Sequence, residues 1–341
     1  MRKPRSFFVW TLSLLVVLSL IIAACGRSSV DSSIAPSPSL ARDPVNQVYA
    51  LAWSPNGTEL ATGGKNGVIQ LWNTRSKTLL LSTEQHFGEV YALAWSPDGK
   101  YLASGGQDQT VHLWYTTTGQ QVFAYRSRFS TGEVLALAWS PDGRYLAAGN
   151  NIGIGQVWDT TAQTLVAAYR NFTGEDEVTA LSWSPHGKLL ASASTDRTVH
   201  IWDILTGSPP LAYRGHKDEV WSVTWTPNGS YLASGSLDGT VQVWDPQTGR
   251  MRLTYRGQSA GVWAISCSPD GKHLASGSRD HTVQVWEAMT GKLLLTYRGH
   301  MSEVTKVPWS PDGKQIASVS DGGVVQLWNA TTGKQVWLLH L

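Results

Sequence analysis

The chain has 341 residues and a formal net charge of +2 at pH 7, because 27 Lys and Arg side chains are nearly balanced by 25 Asp and Glu. No stretch carries the basic stripe that nucleic-acid binders need, so nucleic acid is not an expected partner. Only two cysteines are present, Cys25 and Cys267.

The first 24 residues have the pattern of a secretory signal: basic residues at the start, then an apolar run from residue 7 to residue 24. The run ends in Ile22-Ala23-Ala24-Cys25. This ending resembles a bacterial lipobox, in which the cysteine is diacylated and becomes the first mature residue. An uncleaved transmembrane helix is the alternative, because 18 residues can just span a bilayer. Either interpretation anchors the rest of the chain to a bacterial membrane, outside the cytoplasm.

Residues 26–45 are rich in Ser and Pro and poor in apolar side chains. We therefore expect a disordered tether. Removal of residues 1–24 would delete three of the basic side chains and none of the acidic ones, so the net charge would fall from +2 to −1. If Cys25 carries lipid, Cys267 has no partner for a disulfide.

Tryptophan recurs at a near-constant interval through the remaining sequence. One series has steps of 42 or 44 residues: Trp72, Trp114, Trp158, Trp202, Trp244, Trp286 and Trp328. A second series keeps the same step: Trp53, Trp95, Trp139, Trp183, Trp225, Cys267 and Trp309. A period in this range predicts an array of supersecondary units, none of which buries its apolar face alone.

The second unit, residues 88–126, is representative. Apolar and β-branched runs predict strands over 90–95, 101–105, 110–114 and 121–125, separated by turns. The first turn, Ser96-Pro97-Asp98-Gly99, combines a proline that presets φ with a glycine that tolerates positive φ. Each unit is therefore expected to be one small sheet of four antiparallel strands.

Seven copies of this turn, each followed by a strand of the Leu-Ala-Ser-Gly-Ser type, resemble the WD40 repeat. The resemblance covers residues 46–341 and implies an all-β, seven-bladed propeller with four antiparallel strands per blade. The predicted organisation is then a lipoprotein signal peptide (1–24), Cys25 and the tether (25–45), and the propeller (46–341). Because a plausible fourth strand at 335–339 ends the last unit, we expect closure without strand exchange, with side-chain packing alone between the first and last blades.

The resemblance also implies a structural hydrogen-bond network of one His, one Asp and one Trp in a blade. Two units contain all three residues: His86, Asp108 and Trp114 in one, and His216, Asp238 and Trp244 in the other. Asp196 and Asp280 have no such His, and Gly322 takes the Asp position opposite His300. These residues are interpreted as scaffold.

No catalytic motif or metal-ligand spacing is found, so we predict a protein that is not an enzyme and has no cofactor and no metal site. His112 and His200 occupy a third-strand position where other units have Gln. We interpret that shared position as a surface position.

Positions that vary between matching units are the better candidates for a binding site. One such position lies at the start of the first strand, and in the family it rims the central channel. Here it is occupied by Tyr49, Tyr91, Leu135, Trp221 and Trp263, with Thr179 and Thr305 in the other units. Two residues earlier stand Glu89, Glu133, Glu177, Glu219 and Glu303. Leu237, in the turn between strands two and three, is expected to join Trp221 and Trp263 in one apolar patch.

Aromatic side chains beside carboxylates suit a protein or peptide segment that carries Lys or Arg. The competing interpretation pairs the carboxylates with the arginines that follow the fourth strands, Arg126, Arg170, Arg214, Arg256 and Arg298. The leading function is a membrane-anchored, monomeric scaffold for protein–protein interaction. A receptor for a small molecule or glycan at the channel mouth, and an accessory subunit of an enzyme on another chain, are the alternatives.

Overall fold

The computed structural model describes residues 47–84, 86–126, 132–170, 176–206 and 211–341. Cys25, the apolar run before it and the predicted tether lie outside these residues. Within them, no helix has the length and hydropathy needed to span a membrane. The described chain forms seven blades, each a four-stranded antiparallel sheet whose strand order follows the chain.

The first four blades contain sixteen strands. Blade 1 has β1 (Val48–Trp53), β2 (Glu59–Gly64), β3 (Val68–Asn73) and β4 (Thr78–Glu84). Blade 2 has β5 (Val90–Trp95), β6 (Tyr101–Gly106), β7 (Thr110–Tyr115) and β8 (Gln121–Arg126). Blade 3 has β9 (Val134–Trp139), β10 (Tyr145–Asn150), β11 (Ile154–Asp159) and β12 (Thr164–Arg170). Blade 4 has β13 (Val178–Trp183), β14 (Leu189–Ser194), β15 (Val199–Asp203) and β16 (Leu211–Tyr213).

The last three blades repeat the arrangement. Blade 5 has β17 (Val220–Trp225), β18 (Leu232–Ser236), β19 (Val241–Trp244) and β20 (Met251–Tyr255). Blade 6 has β21 (Val262–Cys267), β22 (His273–Ser278), β23 (Val283–Glu287) and β24 (Leu293–Tyr297). Blade 7 has β25 (Val304–Lys306), β26 (Gln315–Ser320), β27 (Val324–Asn329) and β28 (Gln335–His340). The predicted seven-bladed propeller without strand exchange is confirmed.

The turn between the first two strands of a blade is held by its own side chains. In blade 2, the Ser96 hydroxyl donates to Asp98 Oδ1 at 2.6 Å, and the same oxygen accepts the Lys100 amide at 3.1 Å. Gly99 adopts a φ of 73°, which a side chain would make unfavourable. The turn therefore folds from local chemistry and fixes the register of β5 against β6.

Aromatic side chains stack between neighbouring blades as part of the buried core. Trp244 is fully buried, and Tyr213 of the preceding blade stacks on it with ring centroids 4.2 Å apart and planes at 4°. The Tyr213 hydroxyl donates to Gln242 Oε1 at 2.6 Å. The same Tyr–Trp stack recurs in the next two blades, as Tyr255 on Trp286 and Tyr297 on Trp328.

The interpretation of the third-strand Gln/His position as a surface position is wrong. Gln242 and His112 are buried, and His200 is fully buried. In the later blades, the fourth strand of the preceding blade places a tyrosine hydroxyl over this position. In blades 5 to 7 the glutamine at this position accepts a hydrogen bond from that hydroxyl instead of facing water.

The first and last blades are joined by the same contact as other neighbouring blades. Trp53 Nε1 donates to the Pro308 carbonyl at 3.2 Å, as Trp95 Nε1 donates to the Ala52 carbonyl at 3.1 Å. Lys77 Nζ also donates to the carbonyl of Val336 at 3.0 Å. Apolar packing surrounds these bonds. The expectation that packing alone closes the ring is therefore wrong, because backbone carbonyls of blade 7 accept hydrogen bonds from blade 1.

Candidate functional site

The variable position in the first strand is a β-bulge in every blade. In blade 1, Val48 pairs with Gly64 and Ala50 pairs with Gly63, so that Tyr49 is left unpaired in the ladder. The residues skipped in this way are Tyr49, Tyr91, Leu135, Thr179, Trp221, Trp263 and Thr305. A bulge re-aims a side chain out of the regular alternation of a strand. The bulge thus explains why this position can vary without disturbing the sheets.

Two aromatic pairs form within this ring of bulged residues. Trp221 and Trp263 meet edge to face, with centroids 4.5 Å apart and planes at 77°. Tyr49 and Tyr91 lie 5.8 Å apart on other blades. Such pairs stabilise by about 0.5–1.5 kcal/mol beyond the burial of their area. Leu237 packs against Gly261, where an added Cβ would lie 2.8 Å from Leu237 Cδ2. That contact explains why glycine interrupts the Glu series in blade 6.

Carboxylates accept hydrogen bonds from three of these four aromatic side chains, and the Tyr49 hydroxyl donates to Gln47 Oε1 instead. Trp221 Nε1 donates to Glu219 at 3.2 Å, and Trp263 Nε1 donates to Glu303 at 2.9 Å. The Tyr91 hydroxyl donates to Glu89 at 2.9 Å in the same way. The ion pair to Glu303 comes from Arg279, in the turn between strands two and three, at 3.0 Å. In the described structure these contacts orient Glu89, Glu219 and Glu303.

Blades 2 to 5 place four carboxylates in sequence around the ring. Burial raises the pKa of Glu133, and the neighbouring Glu89 raises it further. Burial likewise raises the pKa of Glu177, with added repulsion from Glu219 and Glu133. These shifts show that the negative charges act on one another across the blades. We name Glu89, Glu133, Glu177 and Glu219 the acidic arc; it favours the approach of a cation.

A second variable set lies beside the first. The turn that follows strand two is bonded to the segment before the bulge in each blade. Its first residue donates a backbone hydrogen bond to the carbonyl of the residue two positions before the bulged one, as Leu237 does to Glu219 at 3.0 Å. The turn residues are Lys65, Gln107, Asn151, Thr195, Leu237, Arg279 and Asp321. The bulged residues and the turn residues therefore share one face, which we call the bulge face.

The predicted His–Asp–Trp network contains a fourth residue, a serine. Trp114 Nε1 donates to Ser104 Oγ at 2.7 Å, the Ser104 hydroxyl donates to His86 Nε2 at 2.7 Å, and His86 Nδ1 donates to Asp108 at 2.9 Å. Burial would raise the pKa of Asp108, but hydrogen bonds from His86 and Thr110 hold it well below its usual range. The signal in the sequence was a Ser or Thr ten residues before most of the third-strand tryptophans.

The same four-residue network recurs in blade 5. His216 lies 3.0 Å from Asp238 and 2.7 Å from Ser234 Oγ, which also accepts Trp244 Nε1 at 3.2 Å. Burial opposes ionisation of Asp238 as well, and the hydrogen bond from His216 nevertheless keeps its pKa far below the ordinary value. The two complete networks are thus alike in partners and in geometry.

Other blades modify the network. In blade 6, Gln258 replaces the histidine and donates to Ser276 Oγ at 2.9 Å. In blade 7, His300 lies 2.6 Å from Ser318 Oγ, but Gly322 offers no carboxylate. The Nδ1 atom of His300 is buried and has no hydrogen-bond partner among the described residues. Burial lowers the pKa of His300 to about 4.

One group of possible metal ligands occurs in the described part of the chain. Atoms of His86, Asp108 and His112 lie within 4.8 Å of one another. The His86 nitrogens are held by Asp108 and Ser104, and those of His112 lie 2.7 Å from Thr110 Oγ1 and 3.1 Å from Gln121 Oε1. A metal ion would have to displace these bonds. In blade 5 the position of His112 is taken by Gln242, and the His–Asp pair is unchanged.

Sequence reasoning missed three residues of this region. Phe87 is 93% exposed and Met301 is 91% exposed, each in the loop that enters the first strand of its blade. The Phe87 amide donates to Asp108 at 3.1 Å, which places the loop on the bulge face. Lys306 lies inside the ring. Comparison of the repeats at strand starts and turns does not include these three positions.

The concave features of the molecule differ in size. Five blades line a small cavity of about 140 Å³ at the centre of the ring, bordered by Tyr91, Leu135 and Thr179. Larger grooves lie between neighbouring blades at the opposite end, including one of about 730 Å³ between blades 1 and 7. Pockets for drug-sized ligands usually measure about 300–1,000 Å³. The central cavity is too small to enclose such a ligand.

Comparisons with known proteins agree with this architecture. The family model described as WD domain, G-beta repeat matches residues 42–73, 77–115 and 119–161. The model described as Echinoderm microtubule-associated protein second beta-propeller matches residues 178–338. A search of curated proteins finds no match. The chain is a seven-bladed β-propeller that contains WD40 repeats.

Proposed function

We propose that this propeller is a non-enzymatic scaffold that binds a protein partner on the bulge face. Propellers with WD40 repeats commonly serve as protein-interaction scaffolds. The observation that carries the proposal is the contact between Trp221 and Trp263 at 4.5 Å, with each indole held by a carboxylate. Rigid aromatic side chains that are already oriented contribute large contact area at low entropic cost.

The charge of this face favours a partner segment with Lys or Arg. The acidic arc runs beside the aromatic pairs, and its carboxylates repel one another. A bound ammonium or guanidinium group would relieve that repulsion and can also contact the aromatic rings. Phe87 and Met301 extend the apolar surface to the blades on either side of blade 1. Together these features fit a basic peptide segment with at least one large apolar side chain.

Crosslinking in intact cells, followed by affinity capture of the full chain, tests this proposal. Wild type is compared with the double variant Trp221→Ala/Trp263→Ala and with a matched control, Tyr101→Ala/Tyr115→Ala. The control removes another aromatic pair, 5.2 Å apart, at the opposite end of blade 2. We expect one protein to be captured by wild type and by the control, and to be lost with the tryptophan variant. The melting temperature should change little.

Other outcomes would overturn the assignment. Equal capture by all three chains would move the site away from the bulge face. Unfolding of the tryptophan variant would show that the two side chains belong to the core. Absence of any specific partner would favour the glycan or small-ligand alternative.

We further propose that Cys25 anchors the propeller to a bacterial membrane, outside the cytoplasm. The support is the sequence: a basic start, an apolar run and Ile22-Ala23-Ala24-Cys25 at its end. Mass spectrometry of the N-terminal peptide from membranes should find Cys25 as the first residue, carrying acyl chains. A Cys25→Ser variant should lose the acyl chains. An unprocessed N-terminus in wild type would favour the uncleaved helix instead.

A further inference from the structure

Directly after the bulge, six of the seven blades have a small residue. These are Ala50, Ala92, Ala136, Ala180, Ser222 and Ala264. Blade 7 has Lys306 at this position. The first four alanines and Lys306 line the cavity of about 140 Å³. One long cationic side chain therefore stands at a position where the other four blades that line the cavity have alanine.

Lys306 extends into surroundings that do not compensate its charge. The other residues of the lining are apolar except Tyr91 and Thr179, and the hydroxyls of these two already donate to Glu89 and to the Val220 carbonyl. No hydrogen bond or ion pair to the Lys306 ammonium is present among the described residues. Burial lowers the pKa of Lys306. Lys306 is half-buried by accessible area, and partial removal of an ammonium from water is unfavourable unless a partner satisfies it.

The acidic side chain nearest to Lys306 in the sequence, Glu303, already has hydrogen-bond donors on both of its oxygens. Glu303 accepts Trp263 Nε1 at 2.9 Å with one oxygen and Arg279 Nε at 3.0 Å with the other. The cavity wall across the ring from blade 7 consists of residues of blades 3 and 4, such as Leu137 and Leu181. The molecule thus leaves the ammonium facing open space with apolar walls.

We propose that Lys306 binds a carboxylate group inside the central channel. The cavity of about 140 Å³ has room for about four to five water molecules at about 30 Å³ each, which matches a short carboxylate. Alanine and leucine walls suit its hydrocarbon part, and one ammonium balances one negative charge. The acidic arc at the mouth disfavours ions with several negative charges. The carboxylate can be a free short-chain acid or the C-terminus of a peptide; only the peptide case rests on the proposed function.

The first test measures the melting temperature of the full chain while sodium propionate replaces sodium chloride at constant ionic strength. A ligand that binds only the folded state raises the melting temperature with its concentration. We expect a rise for wild type and none for Lys306→Ala, which restores the alanine of other blades. Lys65→Ala removes a lysine of the bulge face outside the cavity, and it should respond as wild type does. An equal rise in wild type and Lys306→Ala would overturn the site.

A second melting experiment, with peptides, distinguishes a free short-chain acid from a peptide C-terminus. The tripeptide Ala-Ala-Ala is compared with its C-terminal amide, at concentrations equal to those of propionate. A rise with propionate identifies a free acid, whereas a rise only with the unamidated peptide identifies a C-terminus. No rise with either probe in wild type would overturn the proposal.

A site-specific measurement keeps the test independent of stability. Trace acetylation of lysines with acetic anhydride is followed by mass spectrometry of the Lys306 and Lys65 peptides. Propionate should slow acetylation of Lys306 severalfold and leave Lys65 unchanged; an unchanged rate at Lys306 contradicts binding there. The variant Trp221→Ala/Trp263→Ala should keep the propionate effect, since neither tryptophan lines the cavity. Failure of this site and failure of the protein-binding face are therefore separable.

Discussion

Replacing Gly322 with Asp should complete the buried network of blade 7. In blades 2 and 5 an aspartate accepts the hydrogen bond from the histidine, at 2.9 and 3.0 Å. In blade 7, His300 Nδ1 is buried and has no partner among the described residues. Gly322 does not have a left-handed φ, and an added Cβ would lie 3.2 Å from Ser302 Oγ, which accepts the Gly322 amide at 2.9 Å and would have to shift slightly. The site can accept the side chain with a small adjustment.

The expected gain is modest at neutral pH. A hydrogen bond to a charged group contributes about 1.5–3 kcal/mol, and replacing a glycine of ordinary φ adds about 0.4–1 kcal/mol. Desolvation of the new carboxylate and displacement of Ser302 oppose both terms. We expect the free energy of unfolding of Gly322→Asp to rise by about 1–2 kcal/mol at pH 7. Gly322→Ala, the control, should show only the smaller glycine effect.

The pH dependence gives the sharper test. The pKa of His300 is about 4 in the folded chain and about 6.5 for an unperturbed histidine. Between these values the unfolded state binds more protons, so stability falls as the pH falls. The slope approaches about 1.4 kcal/mol per pH unit below pH 6.5, so wild type should lose about 2 kcal/mol between pH 7 and pH 5 from this residue. A carboxylate at position 322 raises the His300 pKa and should reduce that loss.

Urea unfolding of the full chain, followed by tryptophan fluorescence at pH 7 and pH 5, measures both effects. The reasoning is refuted if Gly322→Asp is no more stable than Gly322→Ala at pH 7. It is also refuted if the two variants lose the same free energy between pH 7 and pH 5.

Three further substitutions test the scaffold in the same urea assay. Trp244→Ala should cost about 3–5 kcal/mol, as for a fully buried aromatic side chain; a loss below about 1 kcal/mol would remove Trp244 from the core. Ser104→Ala should cost about 1–3 kcal/mol, because His86 and the buried indole lose a shared partner, and a neutral result would show that the serine does not link them. Trp53→Phe should cost about 1 kcal/mol and match Trp95→Phe, whereas a larger cost would mark ring closure as energetically different from other blade contacts.

Much of the candidate face could be predicted by comparing repeats. Matching units differ at one position of the first strand, which identified Tyr49, Tyr91, Trp221 and Trp263 as candidates. The β-bulge explains why the residue at this position can vary. Trp221, Trp263 and Leu237 were expected to form one apolar patch because they lie in adjacent blades, and the two tryptophans are in contact at 4.5 Å. Their role in binding a partner stays a prediction, as does lipidation of Cys25.

The sequence by itself determined the number of blades, the four strands in each and the absence of strand exchange. The reason is local: the turns set each hairpin through side chains only two residues apart, such as Ser96 and Asp98, and the tryptophan period repeats the unit. Tertiary structure decided which residues of different blades contact one another. Tyr213 covers Gln242 from 29 positions away, Trp53 reaches Pro308 across 255 positions, and Lys306 enters a cavity lined by five blades. Such contacts have no signature in any single repeat, because they arise only when different blades pack together.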